Sequence, residues 1–156
     1  ATLRPFNTYG PRQSARAVIP TIMSQLASGA KAIRLGSLDP IRDLNFVRDT
    51  ARAFMSVAEC PDTVGELVNA GTGKGISIGD LASLIMEVMG AEAEIICETE
   101  RVRPEKSEVL RLVAGVDKIR RLTGWEPQVP IREGLARTAD YVRSHLHLYK
   151  PNIYNV

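Results

Sequence analysis

Three polar loops carry the residues best suited to chemistry. The first holds Asn7, Tyr9 and Arg12, and the second holds Arg42 and Asp43 just before the apolar pair Phe46-Val47. The third holds Arg101, Arg103 and Lys106 around Pro104. Each follows a candidate strand, and in α/β proteins ligands bind at the carboxyl ends of strands. A guanidinium is planar and gives paired hydrogen bonds to phosphate oxygens. Arginines offered by several loops from one side of a sheet would therefore suit a diphosphate. Taken singly, each arginine reads instead as a surface ion pair, with Asp43, Glu105 or Glu108 as partner, because most surface charges are only solvated.

Other candidate chemistry is weaker. Gly71-Thr72-Gly73-Lys74-Gly75 follows a strand and precedes a helix, the context of a phosphate cradle. It lacks the G-x-x-x-x-G-K-[ST] spacing, and no G-x-G-x-x-G occurs, so a plain strand-to-helix turn is expected. Arg101, Arg103, Lys106 and Arg111 are interleaved with Glu100, Glu105 and Glu108, too self-neutralised for a nucleic-acid stripe. No Ser-His-Asp or Cys-His arrangement is visible. His145 and His147 have no Cys or acid at ligand spacing, so they read as a solvated helix end and no metal site is expected.

Short strands alternate with helices along the chain. Val18, Ile19, Ile22, Met23 and Leu26 recur at helical spacing up to Gly29. Ala32 to Leu35 reads as a strand, and Ser37 to Arg42 as a polar turn. Val47, Ala51, Phe54, Met55 and Ala58 read as the buried face of a second helix. Leu67-Val68-Asn69 reads as a short buried strand. Ser77 and Asp80 form a capping box for a helix that buries Leu81, Leu84, Ile85, Val88 and Met89 and closes on Gly90. Ala93 to Cys97 reads as a strand and Glu98 to Glu108 as a charged loop. Asp117 is expected to cap a short helix ending at Gly124. Pro130 suits the first turn of a last helix burying Ile131, Leu135, Ala139, Val142 and Leu146. The fold class is α/β.

The chain has 156 residues, the size of a single domain, enough to bury about 70% of its unfolded surface. Hydrophobic content is 44%, and 20 basic residues against 18 acidic leave a net charge of +2. That near balance argues against a nucleic-acid binder. No apolar run approaches the ~18 residues of a membrane span, and no signal peptide is seen. Cys60 and Cys97 read as two reduced, buried thiols, with a disulfide as the alternative, so a cytoplasmic protein without a membrane partner is expected.

A family resemblance emerges from motifs in a fixed order. Arg4-Pro5-Phe6-Asn7-Thr8-Tyr9-Gly10-Pro11 resembles the R-x-x-N-x-Y-G-P segment of the extended short-chain dehydrogenases, the NAD-dependent epimerases and dehydratases of nucleotide sugars. Arg42-Asp43-Leu44-Asn45-Phe46-Val47-Arg48-Asp49 resembles their R-D-F-x-x-V-x-D. Val68-Asn69-Ala70-Gly71-Thr72-Gly73, Arg103-Pro104, Thr123-Gly124-Trp125-Glu126-Pro127 and Glu133-Gly134-Leu135 continue the series. Arg103 to Glu108 and the closing Asn152-Ile153-Tyr154-Asn155-Val156 look most like the hexosamine 4,6-dehydratases of legionaminic-type sugar pathways.

The resemblance implies roles. Asn7 would contact the sugar diphosphate, and Pro5 would lie near the nicotinamide through its backbone. Arg42 and Arg103 would hold the diphosphate and ribose, and Val18 to Pro20 would lie near the base. The implied cofactor of the intact parent is NAD, with none expected tightly bound to this chain, and the implied partner is a UDP- or GDP-linked sugar. No tyrosine is followed by a lysine in Y-x-x-x-K spacing, and the glycine-rich dinucleotide motif is absent. The chain is therefore expected to be the C-terminal, substrate-binding portion, residues 1–156 as one domain with a few strands of an incomplete Rossmann sheet and without the NAD-binding part. Such a portion would have no catalytic residues and be inactive alone. A 4-epimerase origin, or a non-enzymatic homo-oligomer pairing through exposed strand edges, are the alternatives. One departure concerns Arg103-Pro104-Glu105-Lys106. Many relatives carry R-P-G-D there, so Lys106 replaces the acid that would meet a ribose hydroxyl.

Overall fold

A computed structural model describes residues 1–98 and 109–149. Its elements in chain order are β1 (Thr2–Pro5), β2 (Thr8–Tyr9), α1 (Val18–Ala27), β3 (Ala32–Leu35), β4 (Ile41–Arg42), β5 (Asn45–Phe46) and α2 (Val47–Glu59). There follow β6 (Leu67–Ala70), β7 (Ile76–Ser77), α3 (Ile78–Met89), β8 (Glu94–Cys97), β9 (Arg111–Leu112), α4 (Asp117–Thr123) and α5 (Ile131–Ser144). The α/β class stands. The described residues form two compact units, one of residues 1–9, 41–76 and 111–131, the other of 10–40, 77–98, 109–110 and 132–149.

In the first unit β1 pairs with β6 in parallel, Thr2 opposite Leu67 through Pro5 opposite Ala70. Two-residue strands β2 and β5 also pair in parallel, as do β4 and β9. Parallel neighbours cannot be joined by a tight turn, so each pairing brings distant sequence together. The core gathers Ala53 and Val57 of α2, Val68 and Ala70 of β6, Ala114, Val116, Ile119 and Trp125, with Leu3, Phe6 and Leu122 packed against it.

In the second unit β3 and β8 pair in parallel, and α1 packs on α3 and β3. Gln25 ties α1 to β3: its Oε1 accepts from the Arg34 N–H at 2.8 Å and its Nε2 donates to the Arg34 carbonyl at 3.3 Å. Ser77 caps the helix as expected, its hydroxyl accepting from the Asp80 N–H at 3.0 Å, while the Asp80 carboxylate meets the Ser77 hydroxyl at 2.6 Å and not a backbone N–H as in a capping box. Gly90 closes α3 in the left-handed region, φ 61°. Among the described residues no helix is long and apolar enough to cross a membrane.

Several expectations are corrected. The inward face of α2 is Asp49, Thr50, Ala53 and Val57, while Phe54 and Met55 stand 51% and 59% exposed. The face is rotated by about one position and sets the buried polar Asp49 and Thr50 beside the core residues Ala53 and Val57. Cys97 is exposed and Cys60 half-buried, with the Cys60 thiol against the Leu122 carbonyl at 3.1 Å. Asp117 is the first helical residue of α4 and caps nothing; Val116 stands at the N-cap. Leu146 lies beyond α5, in a short turn of 3-10 helix. His145 stacks on Tyr141, ring centroids 4.1 Å apart, with its Nδ1 3.0 Å from the Tyr141 carbonyl, so it is packed and not merely solvated.

Candidate functional site

The best-formed polar construction in the first unit is built around the turn from β4 into β5. Arg42 ends β4, half-buried, and one of its guanidinium nitrogens donates to the Ile41 carbonyl at 3.0 Å. The next residue, Asp43, has 0% exposure. A buried carboxylate is costly unless its lone pairs are filled, and here they are. Oδ1 accepts from the Thr72 N–H at 2.9 Å and the Thr72 hydroxyl at 2.6 Å. Oδ2 accepts from the Gly73 N–H at 2.9 Å and the Ala114 N–H at 3.1 Å. The Asp43 N–H donates to the Leu112 carbonyl at 2.9 Å. One side chain thus clamps the loops after β6 and β9 to the turn that carries Arg42.

This construction settles the glycine-rich stretch. The N–H groups of Thr72 and Gly73 point at a carboxylate of the chain itself, so the loop is a turn and its donors are spent internally. Gly71 is required because a Cβ there would stand 2.6 Å from the Ala114 Cβ and 2.7 Å from Asp43 Oδ2.

The same turn holds Asn7. Its Nδ2 donates to the Asp43 carbonyl at 3.1 Å, and its own carbonyl accepts from the Asn45 N–H at 3.0 Å. A carbonyl only accepts, so this contact assigns the amide orientation. Nδ2 carries two N–H bonds. One is fixed on Asp43, and the second is held in a defined direction. Pro5 lies two residues earlier, exposed at the end of β1, and the Phe6 N–H continues the ladder onto the Ala70 carbonyl at 2.8 Å.

A second buried carboxylate completes the scaffold. Asp49, 1% exposed, lies in the first turn of α2. Its Oδ1 pairs with Arg52 at 2.7 Å, and its Oδ2 accepts from the N–H groups of Gln128 and Val129 at 3.1 and 2.9 Å. Its carbonyl accepts from the buried Trp125 indole at 3.2 Å, and Arg52 also reaches the Glu126 carbonyl at 2.8 Å. The Tyr9 ring meets Phe46 edge-on at 5.6 Å, and its hydroxyl donates to the Ile131 carbonyl at 3.2 Å. Tyr9 is thereby a packing residue.

Of the residues singled out from sequence, Asn7, between β1 and β2, is bonded to the carbonyl of Asp43, the residue after Arg42, and Pro5 ends β1 two residues before Asn7. Val18 and Pro20 belong to the second unit, in the first turn of α1, where a missing proline N–H costs no helical bond. Arg103 lies outside the described residues. Asn45, Asp49 and Thr72 stand within the sequence motifs with no role read for them, and Thr50 is passed over; the bonds that define all four run to residues distant in sequence or to each other.

The family described as GDP-mannose 4,6 dehydratase matches residues 1–138. The dTDP-D-glucose 4,6-dehydratase of Homo sapiens is 30% identical over 94% of this chain and 42% of its own length. In structure, the UDP-glucose 4-epimerase of Thermotoga maritima, solved with UDP-glucose, has a TM-score of 0.77 at 31% identity, over 92% of this chain and 46% of its own. The UDP-glucuronic acid 4-epimerase of Bacillus cereus, in complex with UDP-glucuronic acid and NAD, has a TM-score of 0.81 at 25% identity, over 91% of this chain and 44% of its own. The chain spans about half the length of the curated relatives it matches, 46% and 42% for two of them. With its motifs in order and its α/β fold shared, the chain belongs to the GDP-mannose 4,6 dehydratase family, among the nucleotide-sugar epimerases and dehydratases of the extended short-chain dehydrogenases.

Proposed function

We propose that this chain is the nucleotide-sugar-binding part of an NAD-dependent nucleotide-sugar 4,6-dehydratase, with Asn7 and Arg42 on the diphosphate. The observation that carries the reading is the Asn7 amide, held by the Asp43 carbonyl at 3.1 Å so that a second N–H is aimed from a fixed turn beside Arg42. Phosphate oxygens only accept, and both residues offer donors. A guanidinium adds charge and a planar fork. Arg103 is carried over by resemblance as a second phosphate partner, and Val18 and Pro20 as neighbours of the base. NAD, when bound in a whole enzyme of this kind, supplies hydride transfer to and from the sugar. This chain's proposed contribution toward it is the backbone at Pro5. The chain alone binds and does not turn over, since it has neither a Y-x-x-x-K pair nor a glycine-rich dinucleotide motif. A 4-epimerase parent is the second reading, favoured by the likeness to the Thermotoga maritima enzyme.

Calorimetric titration with UDP-glucose, dTDP-glucose and GDP-mannose tests this. Asn7→Ala and Arg42→Ala are each expected to weaken binding by about 1.5–3 kcal/mol, the scale of a hydrogen bond to a charged group. Unchanged affinity in both variants removes them from the site, and NAD turnover by this chain refutes the claim that it is silent.

A further inference from the structure

We propose that Thr50 is a positioning residue for Asn7, acting through a hydrogen-bond chain that runs in one direction only. The inference rests on the reading of Asn7 as a ligand contact. Three contacts in the first unit form a line. The Thr8 hydroxyl lies 3.2 Å from the Phe6 carbonyl, the Thr8 and Thr50 hydroxyls lie 2.9 Å apart, and Asn45 Nδ2 lies 2.9 Å from the Thr50 hydroxyl. The Phe6 carbonyl can only accept, and each hydroxyl owns one proton. One arrangement makes all three contacts hydrogen bonds: Asn45 donates to Thr50, Thr50 to Thr8, and Thr8 to Phe6. The direction also fixes the Asn45 amide, which turns its Nδ2 to Thr50. Asn45 Oδ1 is then left buried without a hydrogen bond among the described residues, a cost the fold accepts to keep the line intact.

Both ends of the line grip Asn7. The Phe6 carbonyl belongs to the peptide unit before the Asn7 Cα. The carbonyl of Asn7, which accepts from the Asn45 N–H at 3.0 Å, belongs to the unit after it. Peptide units are planar, so pinning both sets the two backbone dihedrals of Asn7. Nδ2 on the Asp43 carbonyl then sets the side chain. Thr50, 7% exposed on the inward face of α2, is the link between the two grips. It touches no candidate ligand position and works only through Thr8 and Asn45.

The test compares Thr50→Val, which keeps the shape and removes the hydroxyl, with Thr50→Ser, which keeps the hydroxyl. Amide hydrogen exchange at Asn45 and UDP-glucose affinity are read at a temperature where each variant is fully folded. Thr50→Val is expected to speed exchange at Asn45 about tenfold and to weaken UDP-glucose about tenfold, with Thr50→Ser close to wild type in both. A general loss of stability would lower the melting temperature without moving affinity under those conditions. Wild-type exchange or wild-type affinity in Thr50→Val overturns the proposal, and so does a Thr50→Ser variant as impaired as Thr50→Val. Should Thr50→Val not fold, Thr8→Ala breaks the same line at its next link and is read identically. If wild type itself binds no UDP-glucose, the ligand role of Asn7 falls, while exchange at Asn45 still decides whether Thr50 holds that turn.

Discussion

Replacing Asp43 by Asn and by Ala should separate hydrogen bonding from charge at the centre of the scaffold. The carboxylate accepts from three backbone N–H groups and one hydroxyl. Alanine leaves the N–H groups of Thr72, Gly73 and Ala114 without their acceptor in a site of 0% exposure. Each unsatisfied donor costs about 1–3 kcal/mol. Since water can enter the space vacated by the side chain, the low end applies, and the total is about 3–5 kcal/mol. Asparagine fits the same space but has only one oxygen. With that oxygen at the Oδ2 position, the bonds to Gly73 and Ala114 survive. The NH2 group then faces Thr72, whose hydroxyl can turn to accept because it already lies 3.2 Å from the Lys74 carbonyl as a second acceptor. Only the Thr72 N–H is opposed, so the cost is about 2 kcal/mol. For a chain of this size the melting temperature should fall by about 4–8 °C for Asp43→Asn and about twice that for Asp43→Ala. Amide exchange should rise at Thr72 in both variants, and at Gly73 and Ala114 only with alanine. Equal losses in the two variants, or faster exchange at Gly73 in Asp43→Asn, would refute the bond-by-bond account.

The single tryptophan and a buried tyrosine give further predictions. Trp125→Phe removes the indole bond to the Asp49 carbonyl at 3.2 Å and leaves a gap. It should cost about 2 kcal/mol in chemical denaturation followed by circular dichroism. Burial, with a smaller contribution from Tyr141, holds the Tyr149 phenol above its ordinary value of 10.0. The folded state therefore favours the neutral phenol. That stability is fully present below the unfolded value and is lost as pH rises through the higher folded value. Spectroscopic titration should show a tyrosine phase above the ordinary range, and Tyr149→Phe should remove both that phase and its share of the alkaline loss of stability.

How much of this could be read beforehand depended on sequence distance. The cap of α3 was legible because its bond spans three residues, Ser77 to Asp80, and the pattern is local. The Asp43 clamp spans 29 residues to Thr72 and 71 to Ala114. Nothing near Asp43 announces those donors. The motif residues were visible as a pattern, but the pattern could not sort ligand contacts from scaffold. Asp43 entered as an ion-pair partner for arginine and proves to be a receiver of backbone N–H groups. Helix α2 was misread for the same reason. Its apolar residues suggested a face through Phe54 and Met55, whereas Asp49 and Thr50, tied to distant backbone and side chains, lie on the inward face with Ala53 and Val57.

The motif Arg42 to Asp49 therefore divides its work. Asp43 and Asp49 are spent on internal donors, and Asn45, with Thr50 just beyond the motif, on a directed line of bonds. Arg42, with Asn7 from the neighbouring strand end, is proposed to meet the ligand. Such a division makes the strand-end turn stiff before any partner arrives, because its hydrogen bonds close within one compact unit. A stiff donor pair loses less entropy on binding than a floppy one. It also selects: an acceptor-rich group such as a diphosphate can satisfy a fixed N–H and a guanidinium together, whereas a ligand presenting donors there would leave both opposed. On the proposed reading, the buried carboxylates fix the turn that would present Arg42 and Asn7 to an acceptor-rich ligand.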